Sequence, residues 1–410
     1  MSAATAAGIL ALAALGAVTA TAPPAGAATV LPYLQFGGDG ATDAPPPVVV
    51  RWFTTPPRGG AVLFYPPAGP RDTFSLVVSP PGARHAVTPP SGFTTGTAYR
   101  VLLSATATAP EETTAVFSYV APPGDRATPF IFVVYGDNRS RPERHRAVTQ
   151  RILEGPRPRF LVNTGDLTVS GDDSLGWHEE FFAPGGQLFA GAPILATPGN
   201  HDLGGGGPRA PSHFWFADLT LPGNGTEQGR GRWWCARAGG VLMIGLDSTD
   251  PAAPGQTEWL RRTIAAADPR DFVLVFLHHP LYSWGGHGSD AQTLAAWGQV
   301  LDDPKVNLVF VGHNHFYQRT FPLRGGAATT TGPGPYRAGA GTVHCVAGGG
   351  GAPLYSPRRE RRVAVLSEAC HFVRVEYAPG TLTCTAITMD GIEIDRFVIE
   401  QGAPEQAGGS

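Results

Sequence analysis

Residues 129–137 read PFIFVVYGD, and this stretch indicates the class of fold. The run Pro129–Tyr135 is apolar without interruption, which is typical of a strand that is buried on both faces. A segment with helical character follows near Glu143–Leu153, and a second apolar run, Phe160–Asn163, comes after it. Strand and helix alternating in this way predict a layered α/β domain.

The same alternation continues along the chain. Further strands are predicted at Pro193–Thr197, Val241–Asp247, Phe272–Leu277 and Leu308–Val311, with helices at Gln256–Ala267 and Asp290–Leu301. From Val363 to Val398 the pattern returns to β-like runs. Residues 125–400 are therefore predicted to form one α/β domain, and residues 401–410 a disordered tail.

The part of the chain before this domain has a different pattern. Residues 28–124 contain short β-like runs punctuated by Pro and Gly, at Val48–Thr54, Ala61–Tyr65, Thr73–Val78, Tyr99–Ser104 and Val116–Val120. Regularly spaced short strands without a helical segment predict a small β-sandwich. Pro122–Asp125 is the predicted linker.

The first residues have the features of an export signal. Residues 7–18 (AGILALAALGAV) are a short apolar run, and the small residues Ala25-Gly26-Ala27 follow it. We interpret residues 1–27 as a signal peptide and expect a secreted or periplasmic protein. The segment before the apolar run has no Lys or Arg. An uncleaved anchor is the alternative, although the run is short for one.

The composition narrows the class of protein further. With 410 residues, 42% hydrophobic and 15% charged, the chain is globular and long enough for two domains. The net charge of −3 and the absence of a basic run argue against a nucleic-acid partner. No later apolar stretch is long enough for stable membrane insertion. Cys370 and Cys384 could pair across a hairpin, or all four cysteines could be buried free thiols.

Polar side chains with metal-binding character follow five of the predicted strands. They are Asp137, Asp166, Asn200, His278, and His313 with His315. Active sites of open α/β sheets assemble beyond the carboxyl ends of the strands, so we expect these side chains to meet. Oxygen and imidazole donors without thiolate suit Mn, Fe or Zn, and the Asp166 carboxylate could bridge two ions. Each motif alone is weak, but their joint placement indicates a two-metal site.

The motifs GD, GDLT, GNHD, VFLH and GHNH resemble the signature blocks of the calcineurin-like metallophosphoesterases. The stretches Gly312–Arg319 and His278–Ser283 are more specifically similar to the purple acid phosphatase branch, as are Pro32–Gln35 and Arg51-Trp52 in the N-terminal part. The resemblance implies a four-layer α/β/β/α sandwich preceded by a fibronectin-III-like β-sandwich domain. It covers roughly residues 30–400.

The resemblance also implies a function. Two metal ions, expected to be divalent Mn, Fe, Zn or Co, would hold a hydroxide for in-line attack on the phosphorus of a small phosphate ester. Asp137, Asp166 and His315 would hold the first ion, and Asp166, Asn200, His278 and His313 the second. A phosphodiesterase or nucleotidase using the same site is the first alternative. A catalytically inactive surface-binding module is the second.

Two positions depart from the family pattern. Val169 stands where purple acid phosphatases have an iron-ligating tyrosine, and Arg139 stands where other branches have a histidine. The amide oxygen of Asn138 or a water could supply the missing ligand. Arg139 is either a phosphate contact, since its planar fork matches phosphate oxygens, or a surface arginine.

Two histidines are candidates for proton transfer. His201 is expected beside the metal ions, where it could stabilise or protonate the leaving oxygen. His287 corresponds to a substrate histidine of some small acid phosphatases, with an ordinary loop histidine as the alternative. We expect His279 to pack behind the site, and Asp202 to orient His201 or nearby backbone.

Overall fold

A computed structural model describes residues 31–38, 45–65, 75–90, 98–104, 112–204, 212–223 and 226–402. The predicted signal peptide, residues 1–27, and nearly all of the predicted tail lie outside these residues. The helical elements are Pro142–Glu154, Ser174–Gly176, a π-helical turn Trp177–Phe182, Ala183–Gly191, a 3₁₀ turn Asn200–Asp202, His213–Asp218, Gln256–Ala265 and Ala291–Leu301.

The described strands are numbered in chain order. They are β1 Tyr33–Phe36, β2 Val48–Tyr65, β3 Ser75–Val87, β4 Ala98–Ser104, β5 Glu112–Thr113, β6 Phe117–Ser118, β7 Phe130–Tyr135, β8 Leu161–Asn163, β9 Ile194–Ala196, β10 Trp234–Ala238, β11 Val241–Gly245, β12 Phe272–Phe276, β13 Val306–Val311, β14 Tyr317–Thr320, β15 Leu323–Arg324, β16 Ala327–Ala328, β17 Tyr336–Arg337, β18 Val343–Ala347, β19 Val363–Ser367, β20 His371–Ala378, β21 Thr381–Thr388 and β22 Glu393–Glu400.

Two sheets carry the catalytic half of the chain. Among the described residues, the first sheet runs β17-β22-β21-β20-β7-β8-β9-β1-β2-β4-β5, with β3 paired to β2 and β6 to β4. The second runs β10-β11-β12-β13-β18-β14-β19. Strands β7, β8 and β9 are parallel neighbours in the first sheet, and β11, β12, β13 and β18 are parallel neighbours in the second. The carboxyl ends of each parallel set therefore lie along one edge of its sheet.

The two sheets pack face to face, and helices cover their outer faces. A core between the sheets joins residues such as Phe132 and Leu195 of the first to Phe276 and Phe310 of the second. The helices Gln256–Ala265 and Ala291–Leu301 pack on the second sheet, and Pro142–Glu154 and Ala183–Gly191 on the first. This gives the helix–sheet–sheet–helix layering of a mixed α/β fold, because each sheet has two apolar faces to bury.

Buried polar contacts also join the sheets. The Trp234 indole donates a hydrogen bond to the carbonyl of Ala196 at 2.7 Å. Arg319, the last residue of the GHNHFYQR stretch, forms a buried ion pair with Asp395, which also accepts from Tyr317. A lone buried arginine would be costly, so this pairing explains Arg319 as a structural residue.

The N-terminal strands differ from the expected arrangement. The described strands β1 to β6 all belong to the first sheet, and β1 joins them to the catalytic strands by parallel pairing of Gln35 with Ile194. The separate fibronectin-III-like sandwich predicted for residues 28–124 is therefore not confirmed. The runs Val48–Thr54 and Ala61–Tyr65 form one long strand, β2, because its register shifts carry pairing past the intervening prolines.

The helices and strands predicted for the catalytic half are present within a few residues of their expected bounds. Strands β20 and β21 form the predicted hairpin, in which Cys384 lies opposite Val375. All four cysteines are buried free thiols, so the disulfide alternative fails. Among the described residues, no helix combines the length and apolar composition that a membrane span needs.

Candidate metal centre

The six predicted metal ligands come from loops that follow parallel strands. Asp137 follows β7, Asp166 follows β8 and Asn200 follows β9, while His278 follows β12 and His313 follows β13. The sheets face each other, so these loops meet at one edge of the molecule. The structure brings all six residues together, and the distances below show how.

Three of these residues have strained backbones. Asp137 and Asp166 have φ of 57°, and His313 has φ of 68°. Left-handed conformations of non-glycine residues cost about 1–3 kcal/mol each and cluster at functional sites. Glycines before the ligands provide space. A Cβ on Gly312, which precedes His313, would collide with the Asp137 carboxylate, and one on Gly199, which precedes Asn200, with that of Asp166. The Gly-Asp, Gly-Asn and Gly-His pairs thus reflect the close packing of the ligands.

Asp202 holds this backbone in place. Its carboxylate accepts hydrogen bonds from the backbone N–H groups of Asp166 and Leu167 at 2.9 Å and of Gly199 at 2.8 Å. Of the two roles expected for Asp202, the structure shows the one on neighbouring backbone. It fixes two ligand loops relative to each other, as supporting residues of metal sites do.

The first ion position lies among Asp137, Asp166 and His315, whose ligand atoms all lie within 4.8 Å of one another. The Nδ1–H of His315 donates to the carbonyl of Pro353 at 2.6 Å, so its Nε2 carries a lone pair. That Nε2 is buried without a hydrogen-bond partner and lies 3.4 Å from Oδ1 of Asp137. Burial raises the pKa of Asp137 to about 6. A cation between these atoms would satisfy the lone pair and stabilise the carboxylate.

The second ion position lies among Asp166, Asn200, His278 and His313. The Nδ1–H of His278 donates to the carbonyl of Thr164 at 2.9 Å. Its Nε2 lies 3.1 Å from Oδ1 of Asn200 and 3.4 Å from Oδ1 of Asp166. Burial lowers the pKa of His278 well below its ordinary value, so the ring is neutral and Nε2 is an acceptor.

Several acceptor atoms therefore face one another at this position. His313 adds Nδ1 at 3.0 Å from the same Asn200 oxygen, and burial lowers the pKa of His313 to about 2. Acceptors repel one another unless a cation lies between them, and neutral imidazoles are the form that binds metals. Asp166 belongs to both groups of donors. The residues present therefore fit two metal ions that share one carboxylate.

The structure distinguishes between the alternatives for the missing ligand. The Asn138 side chain is buried, and its amide donates to the carbonyl of Leu167 at 2.8 Å while its oxygen accepts from Asn163 at 2.9 Å. Both of its polar atoms are used within the protein, so the alternative in which Asn138 is a ligand fails. Val169 offers no donor side-chain atom and is 44% exposed.

Arg139 lies at the centre and not on the general surface. Its Nε donates to Oδ2 of Asp166 at 3.1 Å, and its side chain is 14% exposed. A second guanidinium nitrogen lies 3.2 Å from the Ser140 hydroxyl. The surface-arginine alternative therefore fails. Its contact with phosphate stays a prediction.

Both candidate proton-transfer residues lie beside the ligands. The backbone N–H of His201 donates to Oδ1 of Asp166 at 2.9 Å, and its Nδ1 contacts the carbonyl of Val169 at 2.8 Å. His287 is exposed on the opposite side, with its ring centroid 4.6 Å from that of His313. Their roles in proton transfer stay predictions.

Two neighbours of the centre differ from what the sequence predicted: His279 was expected elsewhere, and Tyr355 was not predicted. A ring nitrogen of His279 lies within 4.8 Å of ligand nitrogens of His278 and His313, and the residue is partly exposed. It therefore lies beside the site and not behind it. The Tyr355 ring stacks on His315 at 4.2 Å, and its hydroxyl lies 3.4 Å from Nε2 of His287. The adjacent pair His278-His279 was a sequence signal for His279. Tyr355 lies in an irregular loop whose sequence gives no comparable signal.

Comparison with known proteins identifies the class. Residues 130–317 match the calcineurin-like phosphoesterase family. Together with the face-to-face sheets and the ligand arrangement, this match identifies residues 130–317 as a calcineurin-like phosphoesterase domain, a hydrolase of phosphoric esters.

Two relatives resemble the chain beyond this domain. The chain is 28% identical over 387 residues to an uncharacterized protein of Mycobacterium tuberculosis, over 80% of this chain and 70% of that one. It is 25% identical over 231 residues to the probable inactive purple acid phosphatase 1 of Arabidopsis thaliana, over 50% of this chain and 36% of the other.

Solved structures share the fold. The purple acid phosphatase PPD1 from yellow lupin (Lupinus luteus) seeds is similar with a TM-score of 0.74 and 17% identity, covering 94% of this chain and 78% of that one. The structure of PhoD is similar with a TM-score of 0.61 and 10% identity, covering 90% of both chains.

Proposed function

We propose that the protein is an exported phosphomonoesterase that uses two divalent metal ions to hydrolyse small phosphate esters. The observation that carries this proposal is the convergence of acceptor atoms on Asp166, with Nε2 of His278 at 3.4 Å and the Asn200 oxygen 3.1 Å from that nitrogen. Two divalent ions bound here would supply a hydroxide nucleophile near neutral pH and would neutralise the charge of a phosphate group.

The chain's own residues would orient the ester around the ions. The Arg139 guanidinium would turn from Asp166 toward a phosphate oxygen, because its fork can donate two parallel hydrogen bonds. His201 has its Nδ1 held by the Val169 carbonyl, which leaves Nε2 free to act at an ester oxygen. Exposed His287 stands where a leaving group could enter and would donate a proton to the departing oxygen.

The remaining assignments belong to the same proposal. Export rests on the apolar run at residues 7–18 and the small residues after it. The division into a fibronectin-III-like part, 28–124, and a catalytic part, 125–400, rests on the change of sequence pattern near residue 124. A catalytically inactive protein is the main rival, since one relative is named as probably inactive. The presence of donors at all six predicted ligand positions argues against it.

A metal-reconstituted ester screen tests the proposal. Protein stripped by chelation and reloaded with Mn, Fe, Zn or Co would be assayed on phosphate monoesters and diesters, with bound metal measured in each case. We expect monoester turnover with divalent metal. Asp166→Asn and His313→Ala should lower it by about 100-fold or more, because each disturbs metal-held charge.

Matched substitutions provide the controls. Asp390→Asn and His213→Ala remove an exposed carboxylate and an exposed imidazole that are not among the predicted ligands, and both should leave turnover unchanged. The two-metal assignment would be wrong if either site variant retained near-normal turnover with its metal measured. A diester preference would favour the phosphodiesterase alternative, and no turnover with any metal would favour the inactive one.

A further inference from the structure

A cluster of arginines lies in the irregular segment between β18 and β19, next to the centre. Residues 358–362 read RRERR, four arginines and one glutamate, in a chain whose net charge is −3. The interpretation that the sequence has no basic run was therefore wrong for this segment. We call Arg358, Arg359 and Arg361, the three exposed members, the basic strip.

The fold ties this segment to the metal centre at one end. The Pro353 carbonyl accepts from Nδ1 of the predicted ligand His315, and the backbone N–H of Tyr355 donates to the His315 carbonyl at 3.0 Å. Arg358 is three positions after Tyr355, which limits the distance between their Cα atoms to about 11 Å. The strip therefore begins within about 11 Å of Tyr355, whose ring stacks on the predicted ligand His315 at 4.2 Å.

The first residue of the segment and the proline before it are also tied to the His287 loop. Pro357 pairs with Gly285 in an antiparallel bridge, and the backbone N–H of Arg358 donates to the carbonyl of Trp284 at 2.8 Å. Gly285 is two positions before His287. The basic strip is thus adjacent to the loop that carries His287, the proposed leaving-group histidine.

The charges of the strip are available to a ligand. Arg362 is held by Glu360 at 2.9 Å and lies 4.5 Å above the Trp284 ring, so it anchors the segment. In the part of the chain that the structure describes, the side chains of Arg358 and Arg359 have no ion pair or hydrogen bond. Arg361 is 91% exposed and lies 3.9 Å from Glu360.

Two arginines of the basic strip line a surface groove. Arg359 and Arg361 line a surface cavity of about 440 Å³, together with Glu360, whose carboxylate pairs with Arg362, and with Val363–Leu366 of β19. Strand β19 is the last strand of its sheet among the described residues, so no described strand pairs with the backbone groups on that side. Free guanidinium groups and unpaired backbone donors are the groups that recognise phosphate oxygens.

We propose that the basic strip is a second anion subsite, and that the protein acts on esters and anhydrides that carry two or more phosphates, such as nucleoside triphosphates. This inference rests on the proposed function. The terminal phosphate would lie at the metal centre and the others on the strip. The reaction is unchanged: water adds to the terminal phosphorus, its bond to the bridging oxygen breaks, and that oxygen takes up the proton.

Substrate selectivity tests the subsite. The double variant Arg358→Ala/Arg359→Ala would be compared with wild type in metal-loaded form, on adenosine triphosphate and on nitrophenyl phosphate. We expect the ratio of kcat/KM for the triphosphate to kcat/KM for the nitrophenyl ester to fall about 10-fold, as charge-assisted contacts are lost. The matched control is Arg261→Ala/Arg262→Ala, which removes an adjacent exposed pair from the helix Gln256–Ala265 and should leave the ratio unchanged.

A binding measurement separates this inference from the proposed function. Titration calorimetry of the metal-free forms of the same proteins with inorganic tripolyphosphate, which these forms cannot hydrolyse, should show a Kd about 10-fold higher in the double variant, an effect that weakens with salt. Equal ratios and equal tripolyphosphate affinities in variant and wild type would overturn the subsite. If wild type hydrolyses no ester at all, the proposed function fails, and the tripolyphosphate titration still decides the subsite.

Discussion

The Nε atom of Arg139 lies 3.1 Å from Oδ2 of Asp166, the carboxylate that both proposed ion positions share. A guanidinium is always protonated and cannot ligate a metal, so it stands at the centre as a fixed positive charge. Its place is where other branches of the family have a histidine. The first ion would therefore have one protein ligand fewer, and we expect phosphate to gain a cationic partner.

Arg139→Ala should weaken phosphate binding and leave the ions in place. We expect KM for a monoester and the inhibition constant of inorganic phosphate to rise about 10-fold, because a charge-assisted pair is lost. The measurement is steady-state kinetics together with metal content. The control Arg141→Ala removes an exposed arginine two positions away and should change neither constant. Loss of bound metal in Arg139→Ala, with phosphate inhibition unchanged, would show that Arg139 only supports Asp166.

His287→Ala should slow esters of poor leaving groups more than esters of good ones. An alkyl phosphate needs a proton on its departing oxygen, whereas nitrophenolate leaves without one. We expect a loss of about 100-fold on the alkyl ester and less than about fivefold on the nitrophenyl ester, with metal content unchanged. Equal losses on both esters would mean that His287 is an ordinary loop histidine.

Val169 should make the protein colourless. Purple colour in this family arises from charge transfer between a tyrosine phenolate and a ferric ion, and a valine side chain has no donor atom. We expect no strong visible band at native metal content, recovery of activity with Mn, Zn or Co after chelation, and a pH optimum nearer neutral than that of an acid phosphatase. Visible absorption with elemental analysis measures this.

Val169→Tyr provides the matching gain of function. The variant loaded with ferric iron should acquire a visible band that wild type lacks. The introduced phenol stands three positions after Asp166, in the same loop after β8. A purple wild-type protein would contradict the assignment. Tyr355 would then be the candidate ligand, since its ring lies 4.2 Å from His315.

His344 should make the fold sensitive to acid. Its side chain is buried in β18, and burial lowers its pKa to about 3. The unfolded chain binds a proton near pH 6.5, so stability is complete above that pH and is lost as the pH falls from 6.5 toward 3. The loss from this group is about 1.4 kcal/mol per pH unit.

His344→Gln removes the titrating ring. Between pH 7 and pH 4.5, metal-free wild type should lose about 2 kcal/mol more unfolding free energy than the variant, as measured by urea denaturation. His213→Gln replaces an exposed histidine and should follow wild type. A variant whose stability falls as steeply as that of wild type would refute the buried, neutral state of His344.

Much of the catalytic fold could be predicted because its signals are local. Each central strand is an apolar run, as a buried parallel sheet requires, and the helix Ala291–Leu301 begins at the capping residue Asp290, whose side chain accepts from the backbone N–H of Thr293. The N-terminal part was harder to predict. Its short strands have the pattern of an independent sandwich, and among the described residues the strand pairing of Gln35 with Ile194, more than 150 residues apart, joins them to the catalytic sheet.

The candidate ligands were also predictable, since parallel strands of one sheet end on the same edge and the motifs follow those ends. Their geometry was not. Asn138 looked free to bind a metal, but its amide is held by Leu167 and Asn163, about 25 residues further along the chain. Partners of this kind follow from the packing of loops against one another, on which the local pattern carries no information.

The amino-acid sequence by itself determined the order of strands and helices, the class of chemistry, and the donor atoms at the strand ends, because these follow from hydrophobic periodicity and side-chain type. The tertiary structure alone decided which groups share a space: Arg139 with Asp166, Tyr355 with His315, and the basic strip with the His287 loop. Contacts between such distant positions depend on how two sheets and their irregular loops pack, and many loop paths are compatible with the same local sequence pattern.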